Sequence, residues 1–231
     1  MSVRPSSESG SPDREEVRIT FWGTRGSVPS PGPHTVRYGG NTSCVGIDAG
    51  PHHLILDAGT GIRRLGRLLP AARRPLDATL LLTHLHWDHV QGLPFFEPLY
   101  DHQTRLRIVS PRQDALAPDA VLAKLMQAAF FPIPRDAIAA ALRFYAIDDA
   151  VVSNTGFDIS VLRARHPDHT VGYRIARGTA SIVFMPDDEL VGGDYTMPRD
   201  WRRRLLEFAD GASVLLHDAT FTESEYRHRQ G

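Results

Sequence analysis

Three histidines and an aspartate occupy six consecutive positions directly after an apolar stretch. The segment reads H-x-H-x-D-H, and its four polar side chains are His84, His86, Asp88 and His89. With this chain's own His and Asp frequencies, roughly 0.002 such matches are expected by chance, so the cluster needs an explanation. The preceding run, Ala78–Leu82, has the length and apolarity of a buried strand. The sequence therefore predicts a buried strand that ends in a loop of histidines.

The spacing of this cluster suits metal binding. In an extended segment, residues two apart point to the same side, so His84 and His86 can face one ion together. Imidazole and carboxylate are ligands of borderline divalent metals, and four of them in one short loop fit two ions better than one. The alternative is a solvated polar loop in which the histidines bind nothing.

Composition excludes several other classes of protein. The chain has 231 residues, of which 42% are hydrophobic and 23% are charged, as in an ordinary folded domain rather than a disordered or fibrous chain. The apolar runs are too short to span a bilayer and no secretory signal follows Met1, so we expect no membrane contact. The single cysteine, Cys44, excludes an internal disulfide framework and favours a reducing, cytoplasmic location.

The charge balance argues against purely electrostatic binding of nucleic acid. The chain has 26 Lys+Arg against 27 Asp+Glu, whereas tight binding to phosphate backbones usually needs a basic excess. A nucleic-acid partner stays open because Arg199, Arg202, Arg203 and Arg204 flank Trp201. The plainer interpretation of that segment is a helix with a solvated basic face.

Short strands and helices are predicted to alternate along the chain. Residues 1–16 are rich in Ser, Pro and Glu and predict a disordered tail, Gly23–Asn41 predicts a long loop, and residues 17–231 form the folded unit. The predicted strands are Val17–Trp22, Ser43–Asp48, Leu54–Asp57, Ala78–Thr83, Leu106–Ser110, Phe144–Ile147, Phe157–Arg165, Val171–Ala176, Ser181–Met185 and Ser213–His217. The predicted helices are Thr60–Leu69, Asp114–Phe130, Arg135–Leu142 and Pro198–Ala209. This order favours an α/β fold built in layers with mixed sheets.

The histidine cluster, with Thr83 before it, resembles the signature of the metallo-β-lactamase superfamily, and Leu56–Gly61 (LDAGTG) is similar to a second element of that family. The resemblance implies an αββα sandwich of two mixed β-sheets flanked by helices. It implies two divalent metal ions, with Zn²⁺ as the first choice and Mn²⁺ as the alternative. It also implies that Asp57 orients the ligand loop by accepting hydrogen bonds. The alternative for Asp57 is a helix cap or turn residue.

The family pattern implies further ligands after later strands. It selects His166 as the third histidine, with His169 as the competitor. It selects Asp187 as a carboxylate shared by two ions, with the next residue, Asp188, as the alternative. The first ion would then be held by His84, His86 and His166, and the second by Asp88 and His89, with Asp187 shared.

Within the superfamily, the chain resembles the phosphodiesterase branch, which includes phosphoribosyl cyclic phosphodiesterases, cyclic-nucleotide phosphodiesterases and tRNase Z. The segments that carry this resemblance are Gly23–Pro29 (GTRGSVP), Tyr38–Cys44 (YGGNTSC) and Phe130–Pro134 (FFPIP). In addition, His217–Phe221 (HDATF) is similar to the His-Glu-Ala-Thr-Phe element of tRNase Z, with Asp218 in place of the glutamate. The resemblance therefore implies that Asp218 helps to protonate the leaving group.

The resemblance as a whole implies a metal-dependent phosphodiesterase. A hydroxide between two ions would attack a cyclic or small phosphodiester, and Asp88 would bind metal and orient this nucleophile. The family continues with a Gly-His-Ser/Thr loop and a strand-end histidine that find no match here, and His228 has no matching context. We therefore expect a domain without that C-terminal segment and with an incomplete second metal site. The alternatives are a tRNA 3′-processing nuclease, a catalytically impaired metal-binding domain, and a homo-oligomer whose partner subunit supplies the histidine.

Overall fold

The structure is a computed structural model that describes residues 16–70, 73–113, 119–147, 155–190 and 196–227. The predicted tail lies outside these ranges except for Glu16, as do His228 and the start of one predicted helix. The strands of the described chain are β1 Val17–Gly23, β2 Cys44–Ala49, β3 His52–Leu56, β4 Asp77–Leu81, β5 Arg105–Ser110, β6 Ala141–Ala146, β7 Asp158–Arg163, β8 Val171–Arg177, β9 Ala180–Met185 and β10 Val214–His217. Its α-helices are α1 Gly61–Leu68, α2 Trp87–Val90, α3 Ala120–Leu125, α4 Trp201–Ala209 and α5 Glu223–Tyr226.

The strands form two mixed sheets. The larger sheet has the order β1-β2-β3-β4-β5-β6, in which the first three strands are antiparallel and β3 to β6 run parallel. The smaller sheet has the order β10-β9-β8-β7, in which β10 and β9 are parallel and the other pairs are antiparallel. Parallel neighbours bring the carboxyl ends of β3, β4 and β5 to one edge of the larger sheet.

The central strands of the larger sheet are apolar on both faces because both faces are covered. Ile55 and Leu80 pack into a cluster that also contains residues of α1 and α3. Leu54 and Leu81, the neighbours of those residues in the sequence, pack into a second cluster that contains residues of the smaller sheet. A strand covered on both sides is expected to be a continuous apolar run, which explains the run that precedes the histidines.

Three apolar clusters separate four layers. The first lies between the helices and the larger sheet and includes Ile62 and Leu122. The second lies between the two sheets and includes Tyr173, and the third packs Met185 of β9 against Phe208 of α4. The layers are therefore helix, sheet, sheet and helix, and the predicted αββα sandwich of two mixed sheets is confirmed.

The helix predicted over Arg135–Leu142 is wrong. The chain makes only a 3₁₀ turn at Arg135–Ala137 and enters β6 at Ala141. This strand pairs in parallel with β5, and its side chains Leu142 and Phe144 pack against the core between the helices and the larger sheet. Apolar residues two apart fit a strand, and the open edge of β5 decides in favour of that arrangement over the helical spacing.

The helices of the described ranges are short. The helix predicted over Asp114–Phe130 is α-helical only over Ala120–Leu125 in its described part. The helix predicted over Pro198–Ala209 begins at Trp201 and has nine residues. No helix in the described part of the chain has the length and apolarity required to cross a bilayer.

Candidate metal centre

The carboxyl ends of four strands carry the polar residues singled out in the sequence. In the larger sheet, Asp57 follows β3, and the loop with His84 and His86 follows β4, the parallel neighbour of β3. In the smaller sheet, Asp187 follows β9, and His217 ends β10, the parallel neighbour of β9. Side chains at the carboxyl ends of parallel neighbours lie close together, which is where α/β folds usually place their sites.

Two hydrogen bonds join the sheets next to the histidine loop. The hydroxyl of Tyr173 donates to the carbonyl of Leu82 at 2.6 Å, and the backbone N–H of Val171 donates to the carbonyl of Thr83 at 3.0 Å. Burial and the nearby Asp57 carboxylate raise the pKa of Tyr173, so its hydroxyl stays protonated and can donate. The loop that follows β4 is therefore fixed to β8 of the other sheet.

Four side chains converge on one point, and one ligand atom of each lies within 4.8 Å of the others: His84, His86, His166 and Asp187. Oδ2 of Asp187 is 3.5 Å from Nε2 of His84 and 3.4 Å from Nε2 of His166. Nε2 of His166 is 3.1 Å from Nδ1 of His86. Three imidazoles and one carboxylate are ligand types that Zn²⁺ accepts in tetrahedral sites.

The ring of His84 shows that these residues fit a cation. His84 is fully buried, and its Nδ1 lies 3.1 Å from the hydroxyl of Thr83, but its Nε2 has no hydrogen-bond partner among the described residues. Leaving a buried polar atom unsatisfied costs about 1–3 kcal/mol, which a metal ion at this point would remove. Burial and the positive charge of His89 lower the pKa of His84 to about 2. The imidazole is therefore neutral, which is the form that binds metal.

Asp88 and His89 flank the same aspartate. Nε2 of His89 is 3.4 Å from Oδ2 of Asp187 and 3.5 Å from Oδ2 of Asp88. Oδ2 of Asp88 also accepts a hydrogen bond of 2.7 Å from the backbone N–H of Ser27 in the long loop between β1 and β2. Burial would raise the pKa of Asp187, but the hydrogen bond and positive charge of His89 outweigh it and lower that pKa to about 2. Asp187 is therefore an ionised carboxylate among the histidines.

Asp57 lies behind the histidine loop and is fully buried. It accepts hydrogen bonds from the backbone N–H of Thr83 at 2.8 Å, from the hydroxyl of Ser43 at 3.1 Å and from Nδ1 of His89 at 2.8 Å. Burial alone would lower the pKa of His89, but the negative charge of Asp57 and the hydrogen bond to Asp187 raise it well above the usual value. Asp57 therefore contacts the loop at its start, through Thr83, and at its end, through His89.

The two alternatives weighed from the sequence lie outside the four-residue cluster. The backbone carbonyl of His169 accepts a hydrogen bond of 3.3 Å from Gln113, and its ring is not part of the cluster. The carboxylate of Asp188 is not part of this cluster. It accepts hydrogen bonds from the backbone N–H of Arg165 at 2.7 Å and from Nε2 of His217 at 3.1 Å. Asp188 therefore connects the loop after β7 and the loop after β9 to the end of β10 without joining the cluster.

Sequence reasoning missed Asp168, which contacts the ring of His86. Its Oδ2 lies 3.3 Å from Nε2 of His86, while the other ring nitrogen faces His166. A carboxylate behind a ligand imidazole orients the ring and increases its basicity. Asp168 has φ 60°, an uncommon conformation for a residue other than glycine. The only signal for it in the sequence was its position between two candidate histidines.

A cleft of about 900 Å³ opens beside the cluster. Its walls include His89 and Asp187 together with Asp218, which follows β10. The backbone N–H of Asp218 donates to the carbonyl of Met185 at 3.0 Å, and its Oδ1 accepts from the N–H of Thr220 at 2.8 Å. The cleft therefore places a fixed carboxyl group beside the histidine cluster.

Two curated relatives match most of this chain in sequence. The ribonuclease Z of Archaeoglobus fulgidus is 26% identical to this chain over 89% of the chain and 76% of its own length. The ribonuclease Z of Haloarcula marismortui is 28% identical over 90% of the chain and 75% of its own length. The chain thus spans about three-quarters of the length of these curated relatives.

Solved structures and a family model agree with the fold. The structure of human tRNase Z, short form, matches with a TM-score of 0.61 and 18% identity over 92% of this chain and 83% of that chain. The metallo-β-lactamase fold protein YhfI from Bacillus subtilis matches with a TM-score of 0.58 and 20% identity, over 86% of this chain and 70% of its own. Residues 52–230 match the family model of the beta-lactamase superfamily domain. The chain therefore belongs to the metallo-β-lactamase superfamily of metal-dependent hydrolases.

Proposed function

We propose that this protein is a metal-dependent phosphodiesterase that cleaves RNA. The observation that carries the proposal is the convergence of three histidines and Asp187 beside a cleft that also contains Asp218. The relatives named ribonuclease Z, matched over about nine-tenths of the chain, support RNA as the substrate. They favour RNA over the cyclic or small phosphodiester expected from the sequence, and a small diester remains the comparison substrate in the test.

This ligand set would hold two divalent ions with Asp187 as a ligand common to both, and the second ion would have fewer protein ligands than the first. We assign the first ion to His84, His86 and His166 and the second to Asp88 and His89, with Zn²⁺ as the first choice and Mn²⁺ as the alternative. When bound, such ions lower the pKa of a water molecule and stabilise negative charge on phosphoryl oxygens.

The residues around the ligands fix their orientation before substrate arrives. Asp57 accepts a hydrogen bond from Nδ1 of His89, so Nε2 of that ring faces Asp187. Asp168 holds Nε2 of His86, so Nδ1 of that ring faces the cluster. A preorganised set of ligands avoids a reorganisation cost during the reaction.

Asp218 is our candidate for the proton donor to the leaving oxygen. It shares the cleft with the cluster, and its backbone is tied to the end of β9, two residues before Asp187. A ribose oxygen leaves as a strongly basic alkoxide unless it receives a proton, and a placed general acid contributes about 10²–10⁴-fold to such a step. A nitrophenolate leaves without this help.

The choice of leaving group therefore tests the proposal. The purified chain is loaded with Zn²⁺ or Mn²⁺, and hydrolysis is measured on a 3′-extended tRNA transcript and on bis-p-nitrophenyl phosphate. We expect metal-dependent turnover of both and loss of both in His84→Ala. Asp218→Asn should lower the rate on RNA by about 10²-fold or more and change the rate on the nitrophenyl diester much less. Asp200→Asn, an exposed carboxylate at the start of α4, is the matched control.

Three results would contradict parts of the proposal. A folded, metal-loaded chain that hydrolyses neither compound rules out the phosphodiesterase. Hydrolysis of the nitrophenyl diester without cleavage of RNA rules out RNA as the substrate. An equal loss on both compounds in Asp218→Asn rules out Asp218 as the general acid.

A further inference from the structure

Two of the four arginines in the basic segment singled out in the sequence have partners: the guanidinium of Arg202 donates to the carbonyl of Leu190 at 2.9 Å, and Arg203 is paired within the helix. Trp201 is buried and anchors α4 on the smaller sheet. Arg203 pairs with Asp200 at 2.9 Å and with Glu207 at 2.7 Å, one turn before and after it. Asp200 and Glu207 therefore neutralise part of the positive charge of this helix face. A basic surface with fewer counter-charges lies elsewhere on the molecule.

Helix α1 carries a basic stripe of a different kind. Ile62 and Leu65 face the core, whereas Arg63, Arg64 and Arg67 lie on the exposed side. Arg63 and Arg64 make no ion pair with any residue in the described part of the chain. The pair that Arg67 forms with Glu97 is 3.4 Å long and more than half exposed on both sides, so it holds the guanidinium weakly.

A cleft of about 770 Å³ runs beside this stripe, and we call it the arginine groove. Arg63, Arg64 and Arg67 line it together with Asn41 and Thr60, and no acidic residue lines it among the described residues. The whole chain has 26 basic and 27 acidic residues, so a groove with three arginines and no carboxylate is a strong local departure. Guanidinium groups bind phosphate oxygens through paired hydrogen bonds, which makes phosphate the complementary ligand.

The loop between β1 and β2 joins the arginine groove to the cleft of the metal centre. Val28 lines the metal cleft, and the next residue, Pro29, lines the arginine groove. The loop is closed by a hydrogen bond of 2.9 Å from the N–H of Ser30 to the carbonyl of Gly40. It is tied to the metal centre by the bond from Ser27 to Asp88. One loop therefore forms a wall of both clefts.

We infer that the arginine groove binds the phosphate backbone of the RNA outside the bond that is cleaved. The inference rests on the proposed function, because it needs a polyanionic substrate whose reacting phosphate lies at the metal centre. Backbone contacts of this kind position a nucleic acid without reading its sequence. The chain has no overall excess of basic residues, and these contacts would supply electrostatic affinity for RNA at one place on its surface.

Binding of a fluorescein-labelled tRNA transcript, followed by anisotropy over a range of salt concentrations, tests the inference. We expect Arg63→Ala/Arg64→Ala to weaken binding on the order of tenfold and to reduce the slope of log K against log salt by about 2, one unit for each lost phosphate contact. Arg63→Lys/Arg64→Lys should keep most of the slope, because the charges remain. Arg199→Ala/Arg204→Ala removes two exposed arginines near and on α4 and is the matched control, with a slope close to that of the wild type.

An unfolding curve for each variant shows that the fold is retained. Equal losses in the α1 and α4 variants, or an unchanged slope in Arg63→Ala/Arg64→Ala, would overturn the inference. So would wild-type protein that binds polyglutamate as well as it binds tRNA, because the groove would then be a site for acidic proteins. Hydrolysis of the tRNA transcript and of bis-p-nitrophenyl phosphate by the metal-loaded wild type is measured in parallel. If both activities are absent while the salt slopes follow expectation, the proposed function fails and the RNA surface stands.

Discussion

The carboxylate of Asp57 accepts hydrogen bonds from Ser43, Thr83 and His89 while it is shielded from solvent. A buried charge is tolerated only when such donors replace its water shell. Asp57 also has φ 59°, a conformation that asparagine and aspartate adopt more readily than alanine. Charge, hydrogen bonds and backbone conformation therefore all depend on this one residue.

Replacing Asp57 separates these contributions. We expect Asp57→Ala to lower the free energy of unfolding by about 3–5 kcal/mol. The substitution removes the carboxylate that accepts hydrogen bonds from Nδ1 of His89, the N–H of Thr83 and the hydroxyl of Ser43. Asn has the same shape as Asp and tolerates positive φ, but it carries no charge. Asp57→Asn should therefore lower the free energy of unfolding by less than Asp57→Ala does. Urea unfolding in the presence of EDTA measures both. A loss below about 0.5 kcal/mol in Asp57→Ala would show that the carboxylate does not hold the loop.

The pair of Asp188 and His217 makes stability depend on pH. The hydrogen bond to Asp188 raises the pKa of His217, so the folded chain binds this proton more tightly than the unfolded chain does. Its contribution to stability is complete below the unfolded pKa of about 6.5 and is lost as the pH rises through the folded pKa. We expect His217→Gln to destabilise the metal-free protein more at pH 6 than at pH 9. Urea unfolding at the two pH values measures the difference, and an equal loss at both would contradict this account.

At the scale of elements, the turn after α2 packs tightly against the loop after β3. The N–H of Gly92 donates to the carbonyl of Ala58 at 2.9 Å, and the N–H of Ala58 donates to the carbonyl of His89 at 2.7 Å. A Cβ atom at position 92 would collide with the carbonyl of Gly59. The glycine is therefore required by the close approach of two backbones, and α2 carries Asp88 and His89 at this contact.

Gly92→Ala tests that contact. We expect the substitution to lower the free energy of unfolding by about 1–3 kcal/mol, because backbone has to move, and to weaken Zn²⁺ binding, because α2 moves with it. Gly26→Ala is the matched control. A Cβ at Gly26 meets only the hydroxyl of Thr220 at 3.5 Å, so its effect should stay within about 0.5 kcal/mol. Similar unfolding curves for the two variants would contradict the packing argument.

At the scale of the whole molecule, the metal centre lies at the junction of the two sheets. His84 and His86 come from the larger sheet, whereas His166 and Asp187 come from loops of the smaller one. These four ligands meet only when the two sheets are packed together, so an ion that needs all four binds the folded state and not the unfolded one. Metal binding should therefore stabilise the entire fold rather than one loop.

Metal removal measures this coupling. We expect Zn²⁺ at about 100 times its Kd to raise the free energy of unfolding by about 2.7 kcal/mol over the EDTA-treated protein. His166→Ala should abolish most of this increase, because it removes a ligand of the smaller sheet. Thermal unfolding with Zn²⁺ and with EDTA gives both values. The same increase in His166→Ala as in the wild type would show that Zn²⁺ binds elsewhere.

The sequence by itself determined the features that depend on neighbours along the chain. The run Ala78–Leu82 and the cluster after it have the composition of a doubly covered strand and a ligand loop, because burial on both faces demands apolar residues at every position. The same local signature identified the superfamily and its four-layer sandwich. Four potential metal ligands within six residues can be recognised from the sequence without knowing the rest of the fold.

Only the tertiary structure decided what depends on distant contacts. The stretch Arg135–Leu142 satisfies a helical spacing, but its last two residues begin β6, which pairs with the open edge of β5. Asp187 and Asp188 are the same residue type and are neighbours in the sequence, so the sequence does not distinguish them. In the structure, Asp187 contacts His89, whereas Asp188 contacts His217 of β10, the strand that pairs with β9. The physical reason is the same in both cases. A side chain's neighbours are fixed by how strands that are distant in the sequence pair with each other, and no local stretch of residues specifies that pairing.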